Sequence, residues 1–292
     1  MQKPTTSNTP QAMEVCHLSC PHPGGEHSLT YYVWGRGNSH HLICLHGLAR
    51  NGRDFDDLAI KLIDQDYQVI CPDLPGRGLS AHLPSDVSYS PEQYLSDMQY
   101  LLQHLKITST DWIGSSLGGL IGMGIAAQPE SPVQRLILND IGPEIPEQAI
   151  LRIGENQACL PPLDSYSSIA EWNYLRYPKS LGNLTPAQMD RLVKSDFIPL
   201  ADDSLSPRVD PRIGESVRDR NGQSLDLWPW WQALKCSTLV IWGEDSDVLT
   251  LSILEKMQLL QPSMRVANLP SVDHTPSLME AEQIELIANW LE

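Results

Sequence analysis

The stretch Gly114-Ser115-Ser116-Leu117-Gly118 offers a hydroxyl where a nucleophile could act. It directly follows the strand-like run Thr110–Ile113 and directly precedes the helical pattern Leu120–Ala127. Gly-x-Ser-x-Gly between a strand and a helix is the pattern of a nucleophile elbow. Such a turn has no room for side chains at its glycines. It strains the central residue and lifts that hydroxyl above the sheet. The central residue is Ser116; Ser115 lacks glycines two residues to either side. The plain alternative is a Gly/Ser-rich turn, and the strand–turn–helix context favours the functional reading.

A serine hydroxyl is a weak nucleophile and needs a base. Of nine histidines, His274 stands in Ser271-Val-Asp-His274-Thr-Pro276, between the last strand-like run and the last helical pattern. A loop there opens at the same sheet edge as Ser116. The other histidines, apart from His46, read as ordinary surface or packing residues. The base in turn needs a carboxylate to hold its tautomer and stabilise its charge. Asp247, in Gly243-Glu-Asp-Ser-Asp247, follows the run ending at Trp242 and is favoured. Ser116, Asp247, His274 is then the nucleophile–acid–base order of this architecture. Asp245, nearer the same strand, and Asp140, at the end of the preceding one, are its rivals.

The transition state requires donors for an oxyanion. The Leu117 N–H opens a helix, where negative charge is favoured. The Leu48 N–H, in the loop His46-Gly-Leu-Ala-Arg50, is the expected second donor. His46, beside a glycine at a strand end, is expected to pin that loop by hydrogen bonds. Arg50, Asn51 and Arg77 lie near the site in sequence and are read as loop braces.

The elements that must position these groups are legible as short apolar runs alternating with helical stripes. The runs are His41–Leu45, Tyr67–Cys71, Thr110–Ile113, Val133–Leu138, Ser237–Trp242 and, more weakly, Arg265–Leu269. This alternation predicts a mostly parallel sheet covered on both faces. Ser28–Trp34 should add an antiparallel edge. Phe55, Leu58, Ala59, Leu62 and Ile63 share one helix face, and Ser90-Pro-Glu-Gln93 reads as a helix start. The alternation stops after Asp140. Residues 143–227, rich in Pro, Tyr and Trp, predict a mainly helical cap inserted between two parts of an α/β core, 13–142 and 228–292. Residues 1–12 read as a flexible tail.

Leu45-His-Gly-Leu48, Asp73-Leu-Pro-Gly-Arg-Gly78, Gly114–Gly118, Gly243–Asp247 and Asp273-His-Thr-Pro276 together resemble the capped members of the α/β-hydrolase superfamily. The resemblance runs from about residue 28 to the C-terminus. It implies a serine hydrolase, an acyl-enzyme intermediate and no cofactor. Where epoxide hydrolases and dehalogenases of the superfamily carry an aspartate nucleophile, this chain has Ser116, so an alkyl-enzyme ester is not expected. Three readings follow. The first is hydrolysis of an ester, lactone or thioester of a small to medium apolar acyl compound. The second is C–C hydrolysis of ring-cleavage products on the same triad. The third is a non-catalytic ligand receptor, which an intact triad argues against.

The 292 residues carry 20 Lys+Arg against 36 Asp+Glu, a formal charge of −16. That balance opposes nucleic acid and anionic membrane surfaces as partners. The expected partners are a small acyl substrate and water. No run of about 18 apolar residues suggests a membrane span, and the N-terminus lacks a signal-peptide core. Six cysteines, several in strand-like runs, fit a reducing, cytoplasmic setting. Cys16 and Cys20 lie near His17, His22 and His27, but the second half of a zinc pattern is missing from the local sequence, so no metal is expected.

Overall fold

The computed structural model describes residues 13–158, 161, 163–219, 221–223 and 226–292. The expected N-terminal tail, 1–12, and Cys159 lie outside the described residues. The chain opens with an antiparallel hairpin, β1 (Glu14–His22) and β2 (Gly25–Trp34), turning at Pro21–Glu26. There follow β3 (His40–Leu45), α1 (Asp56–Leu62), β4 (Tyr67–Pro72), α2 (Pro91–His104), β5 (Thr110–Ser115), α3 (Leu117–Ala126) and β6 (Val133–Asn139). Next come α4 (Glu147–Ala158), α5 (Tyr166–Arg176), α6 (Pro186–Asp196), the short pair β7 (Phe197–Pro199) and β8 (Leu205–Pro207), and α7 (Pro211–Arg218). The chain closes with α8 (Trp228–Ala233), β9 (Ser237–Gly243), α9 (Leu251–Leu260), β10 (Arg265–Leu269) and α10 (Ala281–Leu291).

One eight-stranded sheet has the order β1-β2-β4-β3-β5-β6-β9-β10. β3 to β6, β9 and β10 run parallel, and β2 joins β4 antiparallel. The expected α/β sheet and its antiparallel edge are therefore present. β1 is an addition: Leu18 and Cys20 are buried and alternate with the exposed His17 and Ser19, and the strand pairs with β2 along its whole length. Two apolar layers sandwich the sheet. One gathers Ile43, Leu45, Met98, Trp112, Leu136 and Trp231, and the other Leu42, Leu58, Leu62, Ile113, Ile241 and Ile287. Near-continuous apolar runs are what strands buried on both faces require.

Local signals at the helix ends match the sequence. Ser90 caps α2 through the Gln93 N–H, with proline at the first helical position. The segment between β6 and β9 has a small apolar cluster of its own, including Ile169, Met189, Leu192 and Phe197. It is fastened to the loop after β4 and to α1. Arg208 O accepts from the Gly78 N–H, Arg191 pairs with Asp57, and Tyr89 Oη donates to Asp210. The aromatic stretch before β9 packs inward; Trp231 is fully buried and donates to Met257 O.

Candidate active site

Ser116 ends up between β5 and α3 with φ 50° and ψ −113°, a conformation that an L-residue adopts only under constraint. The constraint is the packing around it. A Cβ at Gly114 would lie 2.3 Å from the Gly118 and Gly119 backbone, and one at Gly118 would lie 2.0 Å from Leu45 O. Both positions must be glycine for the turn to nest against β3. The Ser116 N–H donates to Asn139 O on the neighbouring strand at 3.1 Å, which fixes the height of the turn.

His274 reaches the same point from the loop after β10. Its Nε2 lies 3.0 Å from Ser116 Oγ, and its Nδ1 lies 2.8 Å from Asp140 Oδ2. An ionised carboxylate only accepts hydrogen bonds, so Nδ1 carries the imidazole proton and the Nε2 lone pair faces the serine hydroxyl. Asp140 is fully buried, at the residue after β6. Its Oδ1 accepts from the Gly243 N–H at 3.0 Å, and its Oδ2 also accepts from Ser246 Oγ at 2.6 Å. Asn139 Nδ2 donates to both Ser115 Oγ and Pro276 O, each at 2.9 Å, bracing the elbow against the histidine loop. Ser115 is thus occupied in bracing.

The acid expected from the sequence needs correction. Asp247 does not face His274. Its half-exposed carboxylate receives Arg152 Nε and Nη2 at 2.5 and 2.6 Å. Asp245 pairs with Lys179 Nζ at 2.7 Å. The physical reason lies in the register. β6 and β9 are parallel neighbours, with Asn139 opposite Ile241, so the residue after Asn139 arrives beside the histidine at once. By Asp247 the chain has run four residues past β9 and turned outward. Asp140 was one of the three carboxylates the sequence offered. Ser246 and Gly243 as its donors were missed, since nothing in the local sequence marks a residue that supports a partner a hundred positions away.

Leu117 is the first residue of α3, so its N–H belongs to the set with no acceptor inside the helix. The loop carrying Leu48 lies against the elbow: a Cβ on Gly47 would be 3.8 Å from Ser116 Cβ. His46 pins this loop, as expected. Its Nε2 accepts from the Leu74 N–H at 2.9 Å, so its Nδ1 is the donor to Gly47 O at 2.7 Å. Burial pushes the His46 imidazole down to about 3, and the nearby Arg77 and Arg50 charges add to this. Arg77, fully buried, donates from Nε to Leu48 O at 2.8 Å and from Nη1 to Pro75 O and Tyr94 Oη. Its guanidinium lies over the Tyr94 and Tyr89 rings, at 5.0 and 5.5 Å. Beyond it, Arg50 bonds to Asp54 and to Asp196 at the end of α6, and Asn51 Nδ2 donates to Asp196 Oδ1 at 2.8 Å. Asp73 accepts from the Gly52 and Leu79 N–H groups and from Tyr32 Oη, yet burial still pushes its carboxyl up to about 6.

The fold and this serine–histidine–carboxylate arrangement define a class, and comparison with known proteins agrees. A family model described as alpha/beta hydrolase fold matches residues 40–280, and the chain belongs to that family. It is 35% identical over 280 residues to the 3-hydroxybutyrate-oligomer hydrolase of Cupriavidus necator, covering 92% of this chain and 94% of that one. Among solved structures, a Rickettsia typhi protein superposes with a TM-score of 0.87 at 30% identity, over 96% of this chain and 98% of that one. An alpha/beta hydrolase from Novosphingobium aromaticivorans does so with 0.85 at 30% identity, over 96% and 98%. The chain is therefore a hydrolase acting on a small molecule and water. Among the described residues, no helix is long and apolar enough to cross a membrane.

Proposed function

We propose that this chain is a serine hydrolase of carboxylic esters, with Ser116 as nucleophile, His274 as base and Asp140 as the supporting acid. The observation that carries the reading is the continuous line from Ser116 Oγ through the His274 ring to Asp140, at 3.0 and 2.8 Å. Ser116 Oγ attacks the ester carbonyl carbon as its proton passes to His274 Nε2. The carbonyl π electrons move onto oxygen, where the Leu48 and Leu117 N–H groups receive the charge. Collapse breaks the bond to the alkoxy oxygen, which takes the proton from His274 and leaves as the alcohol. Water, deprotonated by the same nitrogen, then attacks the acyl carbon; the bond to Ser116 Oγ breaks, Oγ takes the proton back from His274, and the acid leaves. Asp140 keeps its charge throughout and stabilises the imidazolium.

The preferred substrate class is short oligoesters of a 3-hydroxy acid. Its support is the full-length likeness to a relative with that name. Residues 143–227 act as the cap that admits the substrate. Their fastening to the loops after β3, β4 and β9 supports this placement. The test is titration with a fluorophosphonate probe, together with hydrolysis of a 3-hydroxybutyrate dimer and trimer, a p-nitrophenyl butanoate and a vinylogous diketone. Wild type should be labelled once, at Ser116, and should turn over the oligoesters, while Ser116→Ala does neither. Near wild-type ester turnover by purified Ser116→Ala overturns the serine reading. Turnover of the diketone alone moves the chemistry to C–C cleavage.

A further inference from the structure

Far from the catalytic line, three chemically different side chains converge in the core. Cys20 and His27 stand directly opposite each other in the β1–β2 hairpin, and both point inward. Directly opposed residues keep their Cβ atoms within about 4.5–5.5 Å. Asp97 meets them from the inner face of α2, and it is fully buried. One ligand-type atom from each of the three lies within 4.8 Å of the other two. The ligand that the local sequence lacked is thus supplied by a residue 70 positions further along the chain.

The distances suit a small dication. His27 Nε2 and Asp97 Oδ2 are 3.1 Å apart. Two ligands on a tetrahedral zinc, each at about 2.0–2.1 Å, stand about 3.3–3.4 Å from one another. A shift of a few tenths of an ångström would therefore bring this pair to the spacing of two zinc ligands. The surroundings are prepared as well. Gln93 Nε2 donates to Asp97 Oδ1 at 2.8 Å and to Pro21 O at 3.0 Å, orienting the carboxylate from outside, as supporting partners of metal ligands do. His27 Nδ1 is buried and has no hydrogen-bond partner among the described residues. A buried carboxylate is costly unless a positive group joins it. A surface depression of about 540 Å³, lined by Pro21, His22, Glu92, Gln93 and Ser96, lies on the outer side of Gln93, which separates it from the cluster.

We propose that Cys20, His27 and Asp97 bind a zinc ion, with water as fourth ligand, that ties the N-terminal hairpin to α2. Sulfur, nitrogen and oxygen donors in a tetrahedral set suit this borderline ion better than magnesium or calcium. The ion takes no part in hydrolysis.

The experiment uses the full chain stripped with EDTA, desalted, and dialysed against micromolar zinc. One zinc per chain should be retained. X-ray absorption on the wild-type protein should then show one sulfur at about 2.3 Å and the rest nitrogen or oxygen at about 2.0–2.1 Å. Cobalt(II) in place of zinc should give a thiolate charge-transfer band that Cys20→Ser abolishes and Cys16→Ser keeps. His274→Ala should retain zinc with the same sulfur-containing shell. Failure to retain zinc, or a sulfur-free shell, overturns the proposal without recourse to any variant. So does loss of binding in His274→Ala, which would put the ion at the catalytic site.

Discussion

Ser246 Oγ donates at 2.6 Å to Asp140 Oδ2, the same oxygen that stands 2.8 Å from His274 Nδ1. One carboxylate oxygen thus serves a donor from the loop after β9 and the imidazole from the loop after β10, while Asp140 itself directly follows β6. With Oδ1 held by the Gly243 N–H, Asp140 cannot rotate away from the histidine without abandoning two further bonds.

The two candidate acids can be separated kinetically. Asp140→Asn should lower kcat by up to about 10⁴, the cost of presenting the wrong imidazole tautomer. Asp247→Asn should leave kcat within a few-fold of wild type, because its partner Arg152 is on the surface. Steady-state kinetics on an activated ester checks the pair, and the opposite ranking would return the acid to the β9 loop.

Arg77 acts on the oxyanion loop through Leu48 O. Arg77→Lys keeps the charge but cannot reproduce the fork or the stacking between Tyr89 and Tyr94. It should lower kcat roughly ten- to a hundredfold, since a misplacement of about 1 Å can cost ~10² in rate. KM should change much less. A rise in KM at constant kcat would show that Arg77 serves binding instead.

His46 ties acid stability to one titration. Burial holds its imidazole at about 3 in the folded chain, against 6.5 when exposed. Its contribution to stability is therefore complete above about pH 6.5 and lost as pH falls toward 3, with a slope of up to ~1.4 kcal/mol per pH unit. Asp73, raised from 3.8 to about 6, acts with the opposite sign, being favourable below 3.8 and lost as pH rises through 6. The comparison is accordingly made between wild type and His46→Gln by urea unfolding from pH 7 to pH 4. The difference in stability between the two should shrink steadily as the solution is acidified; a constant difference contradicts the assignment.

Gly118→Ala tests the elbow itself. The new methyl would meet the Leu45 carbonyl oxygen at 2.0 Å, and backbone on both sides leaves it nowhere to go. Overpacking typically costs about 1–3 kcal/mol, occasionally more. The urea midpoint should fall by at least that equivalent. An unchanged midpoint would mean that the turn is looser than the structure has it.

What the sequence could reveal follows how local each signal is. Ser116 announces itself within five residues, because the turn's glycines and its flanking strand and helix are contiguous. His274 is legible from its place after the last strand. The acid is not, since β6 and β9 are both followed by carboxylates at the same sheet edge and only their pairing register separates them. β1 stayed hidden for a related reason. It is an edge strand with an exposed side, and its inward residues acquire meaning only against Leu29, His27 and α2.

The turn after β9 has a further consequence through its three successive side chains. Ser246 looks inward to the buried Asp140, while Asp245 and Asp247 look outward and grip Lys179 and Arg152, all four of them substantially exposed. Dissolved ions screen exposed charges far more than buried ones, with a Debye length of about 8 Å at physiological strength and 3 Å at 1 M. Brine would therefore slacken the outer grip on the helical insertion and leave the His274–Asp140 contact intact. One short turn in this way separates two responses to the medium: the freedom of the insertion follows ionic strength, and the geometry of the catalytic line does not.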